Sequence, residues 1–192
     1  MDRAAVNSLM KEASSGDGHA YAALASMVQD ELFRFAIAQG LDHTNATDAT
    51  QEVLMRAYAR LSVWKPGSDA LAWLCGITLN VVRETKRKEL RQKRSWMAQS
   101  ERQGDRTTES DREKRPDAEE LGQLMEAVAE LPPRQREAVA CRYLRRMTVR
   151  ETAEVMGCAE GTVKSAVSAA LERLRLKLQA TETSDQGRTF DG

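Results

Sequence analysis

Apolar residues along this chain recur mostly at three- and four-residue steps, the spacing that gathers them on one face of a helix. Tyr21, Leu24, Met27, Val28, Leu32, Phe33, Phe35 and Ile37 form one such run, ending at Gly40. A second, capped by Asn45 or Thr47, sets Val53, Leu54, Ala57, Tyr58 and Leu61 on a shared face. Trp64-Lys65-Pro66-Gly67-Ser68-Asp69 reads as a loop, because Pro-Gly punctuates and the proline pushes Lys65 away from helical torsions. From Ala70 a third helix begins, with Leu71, Leu74, Cys75, Thr78 and Val82 along one side. Three or four helices of this length make a compact bundle over residues 1–94.

Beyond about Gln92 the periodicity fails, and residues 95–118 read as a flexible, charged linker. A second block, 119–180, opens with a helix carrying Leu121, Leu124, Met125, Val128 and Leu131, stopped by Pro132-Pro133. Arg134 to Arg146 give another helix, with Val139, Tyr143 and Leu144 expected inward. The tail 181–192 reads as disordered. The fold class that follows is all-α: two small helical domains joined by a tether.

The block ends in the most informative stretch of the chain, Thr148 to Ser165. Thr148 and Glu151 have capping-box spacing, which satisfies orphan amides at a helix start. Gly157 supplies a turn that needs positive φ. In the helix that follows, Val163, Val167, Ala170, Leu171, Leu174 and Leu178 form an inward stripe. The other face carries Glu160, Thr162, Lys164, Ser165 and Ser168. Short polar groups with one lysine suit base edges and phosphates, so the pattern is a helix-turn-helix. An ordinary helical hairpin in a soluble bundle shares much of it.

Composition narrows the field. A chain of 192 residues with 41% hydrophobic content can build real cores, and only 5% aromatics favours helices over sheets. Lys plus Arg equals Asp plus Glu at 29 each, so overall charge offers no attraction to nucleic acid. The distribution does: Arg83, Lys86, Arg87, Lys88, Arg91, Lys93 and Arg94 face only Glu84 and Glu89, and the sign reverses from Glu101 to Glu120. Cys75, Cys141 and Cys158 are scattered, with no zinc or disulfide spacing. No nucleophile-base pair, metal set or glycine-rich phosphate loop is present, so neither an enzyme nor a cofactor is expected. With no leader and no apolar run of membrane-spanning length, a cytoplasmic protein is expected.

Two separated blocks resemble the extracytoplasmic-function sigma factors of bacterial RNA polymerase. One is Asp48-Ala49-Thr50-Gln51-Glu52-Val53-Leu54-Met55-Arg56-Ala57-Tyr58, continuing through Trp73, Leu74, Ile77 and Asn80 to Glu84 and the basic run. The other runs from Leu131-Pro132-Pro133-Arg134-Gln135-Arg136-Glu137 to Gly161-Thr162-Val163-Lys164-Ser165. The resemblance implies that Asp48, Gln51 and Glu52 bind core RNA polymerase, on a turn held rigid by burial of Leu54 and Tyr58. It implies that Trp64, Lys65, Ser68, Asn80, Arg83, Lys86 and Arg87 engage the minus-ten element, and that Gly161, Thr162, Lys164, Ser165 and Ser168 read the minus-thirty-five element. Arg145, Arg146 and Arg150 would then touch the DNA backbone.

The implied partners are core polymerase, promoter DNA and an anti-sigma protein, without insertion into a membrane. Two departures stand out. Ala166 and Ala169 replace arginines common in the family, which implies weaker phosphate anchoring, and Ala159 replaces a serine-type cap, which costs about 1 kcal/mol at the helix start. The competing reading is a polymerase-independent helix-turn-helix regulator, which leaves Asp48, Gln51 and Glu52 without a role.

Overall fold

The computed structural model describes residues 2–100 and 127–186, with side chains to 97 and 179. Among them every regular element is helical. Four helices, α1 (Arg3–Ser14), α2 (Gly18–Ala38), α3 (His43–Ala59) and α4 (Ala70–Ser100), form the first lobe. An aspartate starts each of the first three: the carboxylates of Asp2, Asp17 and Asp42 accept from the amides of Ala4, His19 and Asn45. These caps satisfy amides that a helix start leaves without partners. The cap of α3 is therefore Asp42 and not Asn45 or Thr47. Asn45 instead ties the cap to α4, donating from Nδ2 to Asp42 and Glu89.

The core of this lobe collects Val6 and Met10 from α1, Leu24, Val28 and Leu32 from α2, Ala46, Ala49 and Val53 from α3, and Leu74, Ile77 and Val81 from α4. Between α3 and α4 a short 3-10 turn, Leu61–Val63, precedes the expected loop, and Gly67 there has φ 92. Asp69 Oδ1 accepts from Ala72 N at 2.7 Å at the loop's end. Helix α4 continues to Ser100, beyond the expected boundary near 94. Most of the expected linker, together with Leu121, Leu124 and Met125, lies outside the described residues.

The second lobe comprises helical residues 127–129, α5 (Pro133–Val139), a π turn (Ala140–Leu144), α6 (Val149–Met156) and α7 (Glu160–Gln186). Helix α7 extends past 180, so the first residues of the expected tail are helical; 187–192 lie outside the described residues. The π turn changes which side chains face inward. Arg145 N reaches back to Ala140 O at 3.1 Å and Met147 N to Cys141 O at 3.1 Å, and Arg146 takes φ 51. This wider turn shifts the register of the face. Tyr143 and Leu144, expected inward, are 55% and 47% exposed, whereas Ala140, Cys141 and Met147 are buried.

The lobes share a core. Phe35 of α2 and Leu71, Cys75 and Leu79 of α4 pack with Ala138, Cys141, Met147, Met156 and Val163. A separate small cluster of Ala127, Val128, Leu131, Val139, Ala170 and Leu174 holds α5 to α7. Arg136, 8% exposed, crosses the boundary and donates to Gln39 O at 2.6 Å and Leu131 O at 2.7 Å.

Candidate nucleic-acid interface

Both hydrogen bonds of the capping box form at the start of α6. Glu151 N donates to Thr148 Oγ1 at 3.2 Å, and Thr148 N donates to Glu151 Oε2 at 2.6 Å. The second bond holds the Glu151 carboxyl below the usual carboxylate range. Gly157 ends α6 at φ 64, and Cys158 N bonds back to Ala153 O at 3.0 Å. Helix α7 then emerges with Val163 and Ala170 fully buried. Gly161, Thr162, Lys164, Ser165 and Ser168 are exposed over its first turns. A Cβ at Gly161 would meet nothing within 4 Å, so that backbone is open to close approach. A helix N-terminus lined by short polar side chains can lie against base edges.

The stripe behind it differs in detail from expectation: Leu171 is 43% exposed, and Val167 is half-buried. Ala166 and Ala169 are half-buried, and Ala166 packs against the shared core. An arginine at 166 would displace that packing before reaching a phosphate.

The basic candidates separate into two groups. Arg146 and Arg150 are exposed, Arg150 pairing with Glu154 at 3.2 Å. Arg145 is only 7% exposed. Its guanidinium donates to the Glu31 carboxylate and the Glu31 carbonyl, and lies 5.3 Å from the Phe35 ring centroid. In this arrangement Arg145 is an interlobe contact and offers nothing to a DNA backbone. Glu31 is correspondingly held below the usual carboxylate range by that hydrogen bond.

Among the first-lobe candidates, Lys65 and Ser68 are exposed on the loop, with Ser68 Oγ donating to Lys65 O at 2.6 Å. Trp64 is 4% exposed and belongs to the core, so it cannot stack on a base in this conformation. Asn80 and Arg87 are exposed on α4, and Lys86 is half-buried. Arg83 is engaged: its Nε and Nη2 donate to Glu137 at 2.8 and 2.7 Å, and Nη2 reaches Met156 O at 3.4 Å. Arg134 also donates to Met156 O, at 3.2 Å, so two cations sit at the C-terminal end of α6 where the helix dipole favours them.

A third surface lies on α3. Asp48 and Gln51 are exposed, and Glu52 is half-buried. Arg56 joins Glu52 at 2.6 Å to Glu84 of α4 at 3.0 and 2.7 Å, which lowers the Glu84 pKa and raises that of Arg56. The Glu52–Arg56 spacing of four residues was readable as a helix pair; the tie to Glu84 was not. Leu54 is half-buried, but Tyr58 is 60% exposed, so it does not back the turn by burial. Its ring lies 5.0 Å from that of Tyr21, whose hydroxyl donates to the Leu54 carbonyl.

Among the described residues no group of three or more His, Cys, Asp and Glu is placed to hold a metal. The three thiols are free, with Cys75 and Cys141 buried. No described helix is long and apolar enough to cross a membrane.

Comparison with known proteins covers most of the chain. Residues 121–174 match the family Sigma-70, region 4. The ECF RNA polymerase sigma factor BldN of Streptomyces coelicolor is 29% identical over 85% of this chain, which spans 62% of that relative's length. The probable RNA polymerase sigma-C factor of Mycobacterium bovis is 30% identical over 90% of this chain and 91% of its own. Among solved structures, the sigma factor RpoE in complex with the anti-sigma factor NepR, from Bartonella quintana, is 29% identical, covers 80% of this chain and 92% of that one, and superposes with a TM-score of 0.61.

Proposed function

The chain belongs to the extracytoplasmic-function sigma factors of RNA polymerase, and from that premise we propose that it directs core polymerase to promoters and helps to open them. The observation carrying this reading is the pairing, on one chain, of a turn that presents exposed Asp48 and Gln51 beside half-buried Glu52 with an exposed helix-turn-helix. A polymerase-independent regulator needs only the second. Asp48 and Gln51 meet cationic side chains of the polymerase, with Glu52 held in place by Arg56.

Opening the minus-ten element requires a base to leave its stack, at a cost of a few kcal/mol that protein contacts must offset. Asn80 offers both a donor and an acceptor to that base. Lys65, Arg83, Lys86 and Arg87 hold the phosphates of the separated strand, with Ser68 beside them on the loop. Gly161, Thr162, Lys164, Ser165 and Ser168 read the minus-thirty-five duplex, and Arg146 and Arg150 support it from the backbone side.

The protein makes no covalent change itself and acts in the cytoplasm beside polymerase. An anti-sigma protein restrains it, as NepR is bound by the RpoE relative. The test is reconstitution: purified chain plus bacterial core polymerase on a genomic promoter library. Discrete start sites that depend on the chain are expected. Specific duplex binding without polymerase, together with no binding to polymerase, would overturn the proposal.

A further inference from the structure

Two polar side chains of α1, Arg3 and Asn7, stand about one turn apart on the same side of that helix. That side meets the start of α4. Asn7 Oδ1 accepts from Ala70 N at 2.8 Å, and Arg3 Nη1 donates to Asp69 Oδ2 at 3.2 Å. The other Asp69 oxygen, Oδ1, accepts from Ala72 N at 2.7 Å. Two of the amides that a helix start leaves without partners are thus satisfied, one by a side chain 63 residues away and one by a carboxylate that Arg3 holds. The caps of α1, α2 and α3 are local by contrast, each an aspartate serving amides within three residues of itself. Only at α4 does another helix reach in.

The start of α4 carries the loop assigned to the minus-ten element. Within it Ser68 N donates to Lys65 O at 3.0 Å, closing a turn with Pro66 and Gly67, φ 92, in its middle. Proline followed by a positive-φ glycine is the type II arrangement. Lys65 to Ser68 are all exposed, but both feet of the turn are fixed. Trp64, 4% exposed, anchors one foot in the core, and Asp69 and Ala70 anchor the other through α1. The turn is stiff within itself, so its direction is set at its feet. Asn80 lies about 15 Å along α4 from Ala70, on the same helix. Fixing the first turn of α4 therefore fixes the loop relative to Asn80.

Resting on the function proposed above, we propose that Arg3 and Asn7 are positioning residues for promoter opening: through Asp69 and Ala70 they hold the loop that, with Asn80, receives the extruded base. A pocket for such a base gains affinity when its walls are set before the base arrives, because ordering a loop on binding is costly. A loose first turn of α4 lets Lys65 and Ser68 swing against Asn80, which blurs the distinction between bases. Helix α1 itself is kept on the lobe by Val6 and Met10, both fully buried, so loss of a tie leaves it docked. Arg3 also donates from Nη2 to the Arg145 carbonyl, which makes Asn7 the cleaner residue to change.

The experiment has two arms. In the free full-length chain, Asn7→Ala should speed amide hydrogen exchange at Ala70 roughly fivefold, the factor for loss of one ordinary hydrogen bond. Asn7→Asp keeps the acceptor oxygen and should exchange as the wild type does. In the second arm, holoenzyme assembled with bacterial core polymerase selects from a pool of single-stranded DNA oligomers of random sequence, read by sequencing. Wild-type and Asn7→Asp chains should enrich a short motif, and Asn7→Ala should lower that enrichment roughly threefold at unchanged polymerase affinity. Val6→Ala weakens the core but touches neither tie, so it should lower the thermal midpoint and leave enrichment as it was.

Wild-type exchange at Ala70 in the Asn7→Ala chain would overturn the tie. Faster exchange with full enrichment would overturn the positioning role, as would an equal loss of enrichment in Val6→Ala. Absence of any motif with the wild-type holoenzyme would sink the strand-reading function, and the positioning role with it. The exchange arm needs neither polymerase nor DNA, so it separates that failure from failure of the tie.

Discussion

Replacing each of two glycines four residues apart by alanine should move stability in opposite directions. At Gly157 the backbone has φ 64, and a Cβ would meet nothing within 4 Å, so the whole penalty is torsional. An L-residue in that region costs about 1–2 kcal/mol. The alanine chain also loses less entropy on folding, which offsets about 0.4–1 kcal/mol. The net loss for Gly157→Ala is therefore about 1 kcal/mol. Gly161 lies inside α7, is not among the positive-φ glycines, and is equally open. There the same substitution should stabilise the helix by about 0.5–1 kcal/mol.

Equilibrium urea unfolding resolves this: with a slope of roughly 2 kcal/mol/M, the midpoints should move down by about 0.5 M and up by about 0.4 M. On the proposed assignment of Gly161 to the minus-thirty-five contact, Gly161→Ala should weaken duplex binding despite its greater stability, because the added methyl would stand between the helix backbone and the DNA. Midpoints that shift in the same direction would refute the assigned turn and recognition helix together.

Other outcomes follow from single contacts. Trp64→Ala should cost about 3–5 kcal/mol of stability in thermal unfolding, as a buried core residue does, whereas an exposed base-stacking residue would cost little. Thr148→Ala removes the capping box and should cost about 1 kcal/mol, read as faster amide exchange in the first turn of α6. Glu31 and Glu151 both have folded pKa values below their ordinary 4.5. The stability they contribute is present above that value and lost as pH falls through the lowered folded values. Acid unfolding should therefore steepen below about pH 4.5, and Glu31→Gln or Glu151→Gln should flatten it in a pH series of thermal midpoints.

What could be read in advance was local. The Thr148–Glu151 spacing, Gly157 and the alternation of Val163 and Ala170 with Thr162, Lys164 and Ser165 are all set within a few residues. Each appears in the structure as expected. The departures arise where distant residues decide. Asp42 caps α3 through a local bond from Asn45 N, while the Asn45 side-chain amide bridges that cap to Glu89, distant in sequence. Trp64 reads as a loop aromatic but is buried by helices on either side. Tyr143 and Leu144 fit an inward α-helical face, and the π turn moves them outward.

Arg83, Arg136 and Arg145 resemble any surface arginine by their neighbours in sequence, yet each ends against a group more than fifty residues away. No periodicity carries such information. Ala166 is a related case: family resemblance frames it as a missing cation, and packing shows it to be a small residue that fits against a core.

The account depends on the first lobe gripping polymerase through the exposed turn of α3. Asp48→Lys reverses an exposed charge there without touching the Arg56 network or the core. Affinity of the full-length variant for core polymerase, measured by fluorescence titration at moderate salt, should fall at least about tenfold, with circular dichroism unchanged. Wild-type affinity in the Asp48→Lys chain would contradict it.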